Sequence, residues 1–172
     1  DIINHGEKVL GITFETIVRY KIIELCDHLP YYLHLLATSS AKSAIVSGES
    51  VISSTHLDEG IKLAATDADQ TLRVSYQDAI LSVKRSEIYK QSLYSLAALV
   101  DSAQTVASIA QKLNEIASKS GKSNVTPQAV GHAVKKLATS ERGNILTLKQ
   151  NRFYSFTNPL MKGFVRLMQE QE

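Results

Sequence analysis

The chain has 172 residues, 44% of them hydrophobic and 21% charged, with a formal net charge of +2, proportions that supply enough apolar surface for a globular core. No apolar run approaches the length of a membrane span, and Cys26 is the single cysteine, which excludes an intrachain disulfide and a CxxC metal pair. The charge is uneven: residues 1–85 hold 8 Lys+Arg against 11 Asp+Glu (−3), whereas residues 86–172 hold 11 against 6 (+5), a basic half compatible with a polyanionic partner.

The opening stretch DIINHGEKVLG carries neither a basic leader nor an apolar signal core, which points away from export and a membrane and toward the cytoplasm. It begins without Met, as a piece of a longer protein would. From Thr13 to about Asp27 the periodicity predicts a helix, with Phe14, Ile17, Val18, Ile22 and Leu25 on one face, Thr13 placed to cap, and Glu15 at the positive end. Cys26, among Ile22, Ile23 and Leu25, reads as a small buried hydrophobe. The helix breaks at His28-Leu29-Pro30, because the residue before a proline is pushed out of the helical region. Pro30 opens a second helix running to about Gly48. Its inner stripe of Leu33, Ala37, Ser40, Ala41 and Ala44 is small enough to admit a close helical neighbour. GESVIS reads as a connector, and Thr55 with Asp58 three residues on is close to a capping box for the next helix. Asp67 to Arg85 then places Ala68, Leu72, Tyr76, Ala79, Ile80 and Val83 on one face. Four helices joined by short turns make a small bundle over residues 1–85. The composition turns basic at Lys84-Arg85-Ser86, the expected boundary.

Residues 86–172 read as a second domain. Ile88 to Val100 and Thr105 to Ser118 are apolar-faced helices, and the turn KSGKSN leads to a third. Thr126 fits its N-cap and Pro127 its first position, where a missing N–H costs nothing. Val130, Ala133, Val134 and Leu137 form the core face of this helix, and Gln128, His132, Lys135, Lys136 and Thr139 the opposite one. After Gly143, ILTLKQ and NRFYSF alternate apolar and polar residues with period two, a hairpin with Lys149 and Arg152 at its tip. The last element is a closing amphipathic helix, PLMKGFVRLMQE. The expected fold is therefore mainly α: a small helical bundle, then a winged helix-turn-helix with a short β-hairpin wing. If duplex DNA docks, Gln128, His132, Lys135 and Lys136 meet the major groove, Lys149 and Arg152 meet phosphate or the minor groove, and Lys122 adds a backbone contact. The same shape also serves as a protein-docking module, its basic residues then forming a solvated face.

No catalytic constellation emerges. Gly121-Lys122-Ser123 lacks the earlier glycine of a phosphate loop, whose place holds Ile116, and it comes after a helix rather than a strand. His5, His28, His34, His56 and His132 are scattered without metal-ligand spacing. Asp58-Glu59 and the Asp67/Asp69 pair lie near helix starts, where carboxylates are favoured electrostatically. No GxSxG elbow surrounds a serine.

Two stretches carry a family resemblance. IIELCDHLPYYLHLLA resembles the start of the lid subdomain of AAA+ and STAND-type ATPases, and DADQTLRVSYQDAI with RGNILTLKQNRFYSFTNPLMKGFV resembles the lid end and winged helix of such proteins, in a layout similar to origin-recognition ATPases. The resemblance implies a C-terminal fragment that is not itself an enzyme. The Walker motifs, ATP or ADP, and Mg would belong to a core before Asp1, and the partners would be that core, duplex DNA or a protein. It also implies that Leu29 and Pro30, the end of a Gly-x-Pro break, contact the nucleotide base. Here His28 stands where that family has glycine, and Arg19 is a candidate γ-phosphate sensor only by its nearness to the break. Two alternatives are a free-standing winged-helix transcription regulator and a purely protein–protein interaction module.

Overall fold

The computed structural model describes residues 2–27, 29–81 and 86–172. The chain is mainly α, with nine α-helices and five short strands among the described residues. It divides into two compact units, residues 1–68 with 167–172, and residues 69–166.

The first unit contains α1 (Ile2–Leu10), β1 (Thr13–Phe14), α2 (Thr16–Cys26), α3 (Pro30–Val46), β2 (Val51–Ile52) and α4 (Ser54–Asp67). Two expectations are corrected here. Thr13 and Phe14 do not begin the helix, and GESVIS is more than a connector: β1 and β2 pair in parallel, with Thr13 opposite Val51 and Phe14 opposite Ile52. The reason is tertiary. The Thr13 N–H donates to the Ser50 carbonyl at 2.9 Å, the Glu15 N–H to the Ile52 carbonyl at 3.0 Å, and the Phe14 N–H to the Glu7 carboxylate at 2.8 Å, so the backbone finds partners outside its own helix. Glu15, not Thr13, then occupies the N-cap of α2. Ile17, expected inside, is 65% exposed, while Val18, Ile22, Leu25 and Cys26 are buried. Burial pushes the Cys26 thiol up to about 12, so it stays protonated at neutral pH.

The break before α3 forms around Leu29 at the N-cap and Pro30 in the first turn, as expected; His28 lies outside the described residues. The helix ends on Gly48, whose φ of +73° a residue with a side chain rarely adopts. The small stripe on α3 does admit a close neighbour, and it is α4. A Cβ built on Gly60 would lie 2.8 Å from the Ser40 backbone nitrogen and 2.9 Å from its Cα. The cap of α4 is also corrected: Ser53 and His56 form the capping box instead of Thr55 and Asp58, and the Ser53 N–H donates to His56 Nδ1 at 3.2 Å.

The second unit contains α5 (Gln70–Ile80), α6 (Ser86–Ala98), β3 (Gln104–Thr105), α7 (Val106–Lys119), α8 (Pro127–Leu137), β4 (Leu146–Lys149), β5 (Phe153–Phe156) and most of α9 (Leu160–Gln169). The boundary expected at residues 84–86 falls partly on Lys84 and Arg85, which lie outside the described residues, and α5 groups with the later helices rather than the earlier ones. The physical reason is visible in the contacts. The hydroxyls of Tyr76 and Tyr94 are 3.1 Å apart, the Tyr76 ring stands edge-on to Phe164 with centroids 5.7 Å apart, and Arg142 donates to the carbonyls of Ala79 and Leu81. Val83, expected on the inner face of α5, is outside the described residues. Residues 92–97 of α6 are all buried, which makes it the central helix of the unit; Val100, the expected end of this helix, lies beyond it and is 89% exposed. Lys162 and Arg166, one turn apart on α9, donate to the Val100 and Ala97 carbonyls at 3.1 and 2.9 Å, cations at the negative end of α6.

The hairpin is three-stranded in effect. β4 pairs antiparallel with β5, and β3, which the sequence pattern does not announce, pairs antiparallel with the other edge of β5, Gln104 opposite Tyr154 and Thr105 opposite Phe153. Gln150 and Asn151 at the hairpin turn have φ of +48° and +58°, the primed turn that matches strand twist.

Candidate nucleic-acid interface

The residues singled out in the basic half converge on α8, its flanking turn and the hairpin. Helix α8 begins as expected, with the Thr126 hydroxyl accepting the Ala129 N–H at 3.3 Å and Pro127 in the first turn. Val130, Ala133, Val134 and Leu137 are buried at 4% exposure or less, which leaves Gln128, His132, Lys135 and Lys136 on the solvent side. The turn before α8 is held by Asn114 of α7. Its side-chain amide donates to the Val125 carbonyl at 3.0 Å and accepts the Val125 N–H at 2.8 Å, fixing where α8 starts.

Gly121 has φ of +67° and caps α7. Its N–H donates to the Ser118 carbonyl, and the Lys122 N–H to the Ala117 carbonyl at 2.9 Å, a Schellman arrangement. The glycine is there to end a helix, and Gly121-Lys122-Ser123 forms no phosphate cradle. Lys122 projects from this turn, and its ammonium meets Glu87 of α6 at 3.1 Å.

The exposed face of α8 divides in two. His132 and Lys136, with Glu87, Tyr89, Val125 and Ala129, line a groove of about 750 Å3 between α6 and α8. Gln128 and Lys135 are not part of that lining. Lys136 is paired with Glu141 at 2.8 Å. The Lys122 hydrogen bond, assisted by Gln91 and opposed by desolvation, holds the Glu87 carboxyl below the ordinary carboxylate range. The Lys136 hydrogen bond does the same for Glu141. Both carboxylates are therefore ionised at neutral pH, and each neutralises a cation expected to face a polyanion. Exposed pairs of this kind are worth little and exchange readily for another anion.

At the hairpin turn Lys149 and Arg152 are both exposed, and the Arg152 guanidinium lies 4.5 Å from the Phe153 ring centroid. Behind α8, Arg142 sits 4.4 Å over the Tyr89 ring and bonds the last carbonyls of α5, so the segment joining α8 to β4 is anchored to α5 and α6. Sequence reasoning missed Glu87, Glu141, Asn114 and Arg142. The one available signal was Glu141 five residues beyond Lys136; the other three act across 11 residues or more and leave no local pattern.

Leu29 and Pro30 lie far along the chain from this surface, in the first unit, with Leu29 half-buried and Pro30 exposed. Arg19 is held by Glu7 and by the Asn4 side chain, the latter at 2.6 Å. The Arg19 guanidinium is therefore engaged within its own unit, and Gly121 serves as a helix cap. Among the described residues, no group of three or more His, Cys, Asp or Glu is placed to hold a metal ion. Of the carboxylates expected near helix starts, Asp69 caps α5 through the Thr71 N–H at 2.7 Å and Glu59 makes an exposed pair with Lys62 at 2.8 Å, whereas Asp67 is corrected: it ends α4, and the next helix starts only at Gln70. No helix among the described residues is long and apolar enough to cross a membrane. Compared with protein-family models, curated proteins and solved structures, the chain matches none.

Proposed function

We propose that the chain is the C-terminal part of a AAA+ or STAND-type ATP-binding protein, whose second unit is a winged helix-turn-helix that binds duplex DNA. One observation carries the reading. The order α6-β3-α7-α8-β4-β5, with β3 tied to the free edge of β5, presents Gln128 and Lys135 of α8 to solvent in the same unit as the basic turn Lys149–Arg152. In this reading Gln128 and Lys135 read base edges, and Lys149, Arg152 and Lys122 contact phosphates. His132 and Lys136 border the contact from the groove side. Nucleotide and magnesium belong to a core outside this chain, and no step of binding runs through them here.

A protein-docking role is the second reading, favoured by the neutralisation of Lys122 and Lys136 by Glu87 and Glu141. Anisotropy titration of a fluorescent duplex at two salt concentrations separates the two. DNA binding must weaken steeply with salt, and Lys149→Ala with Arg152→Ala should reduce the log–log salt slope by about 2. Undetectable binding, or an affinity indifferent to salt and to both substitutions, leaves the docking reading standing and removes the DNA one.

A further inference from the structure

The first unit contains a groove that its own side chains leave unfilled. It runs between α1 and α3, encloses about 330 Å3, and is walled by Ile3, Leu10, Ile12, Phe14, Ala41 and Ile45. Leu10 and Ile45 on its walls are each 54% exposed. Gly6, in the middle of α1, forms part of the lining. A mid-helix glycine costs about 0.5–1 kcal/mol relative to alanine. Neither crowding nor a positive φ requires one here, since a Cβ built on Gly6 meets nothing within 4 Å. Its effect is to leave bare backbone and open space along the groove.

The polar part of the lining is one lysine with two histidines and a threonine. His5 comes from α1, and His34, Thr38 and Lys42 come from α3, where spacing by four residues stacks the last three on one face. Among the described residues no carboxylate lines the groove, and Asp67 lies with His34, Thr38 and Lys42 in the neighbouring pocket. Apolar walls with an edge of basic and hydroxyl groups match a ligand having an alkyl body and an anionic head. The volume is at the small end of ligand pockets, which suits a small single-chain ligand.

We propose that this groove binds a free single-chain alkyl carboxylate of about ten carbons, its chain against Ile3, Leu10 and Ile45 and its carboxylate at Lys42 with His5 and His34. The inference does not depend on the DNA-binding reading. Calorimetric titration of the 172-residue chain with decanoate tests it, with decan-1-ol and phosphatidylglycerol vesicles as comparison probes. Decanoate should bind saturably with Kd on the order of 0.1 mM, within the efficiency bounds for a dozen heavy atoms. Gly6→Leu fills the groove with a better helix former, and Lys42→Glu reverses the charge at its edge. Each should weaken decanoate at least tenfold while melting no lower than the parent chain, and decan-1-ol should bind at least tenfold more weakly than decanoate. Absence of saturable binding, decanoate binding unchanged in either folded variant, or equal binding of the alcohol overturns the proposal. So does vesicle binding that decanoate fails to displace, which would assign the groove to a lipid surface.

Discussion

At the scale of single residues, the side chains that matter most in the first unit join segments that sequence periodicity treats separately. Glu7 is the clearest. From α1 its carboxylate accepts the N–H of Phe14 and pairs with Arg19 of α2, with only 16% of its side chain exposed. Desolvation works against its ionisation, yet the Phe14 N–H and the Arg19 guanidinium together outweigh it and hold the Glu7 carboxyl below its ordinary value. A carboxyl depressed in the folded state contributes stability that is fully present above its unfolded pKa and is lost as pH falls through the folded one. Glu7→Gln should therefore lower stability at neutral pH by on the order of 1 kcal/mol. The difference between the two proteins should shrink as pH drops through and below the carboxylate range. Urea denaturation at a series of pH values checks this, and a gap that is constant with pH would mean that Glu7 acts by packing alone.

At the scale of elements, the close approach of α3 and α4 is the feature most sensitive to a small change. The sequence shows half of it, the small stripe on α3; the partner and its contact point, Gly60 against Ser40, come only from the packing. Because the atoms a Cβ would strike include Ser40 backbone, relief requires the helices to part. Gly60→Ala should destabilise by about 1–3 kcal/mol, although alanine is the better helix former. Thermal unfolding followed by circular dichroism measures the sign directly, and a rise in melting temperature would contradict this packing. Elements built on local signals were legible: the Pro30 break, the Thr126 cap, the buried face of α8, the hairpin and the closing helix. The strands β1, β2 and β3 were not, because two-residue strands have no periodicity and exist only where a distant partner supplies hydrogen bonds.

At the scale of the whole molecule, the net charge of +2 and the +5 of residues 86–172 overstate what the candidate interface offers a polyanion, since Glu87 and Glu141 sit against two of its lysines. Replacing both by glutamine should release Lys122 and Lys136, tighten duplex binding and steepen the salt slope by up to about 2. Anisotropy at 50 and 200 mM salt measures both quantities, and an unchanged slope would show that neither lysine reaches phosphate. The sequence by itself determined that the chain is mainly α, which face of α8 is buried, and where the exposed basic residues of α8 and the hairpin lie, because spacing and capping within a few residues dictate them. Tertiary structure alone decided that α5 groups with the second unit, that β3 completes the sheet, that Glu7 binds α1 to α2, and that two of the three lysines expected to contact DNA from α8 and its preceding turn are already paired. Each of these depends on groups well separated in sequence that meet only when the chain packs, and no local pattern encodes the meeting.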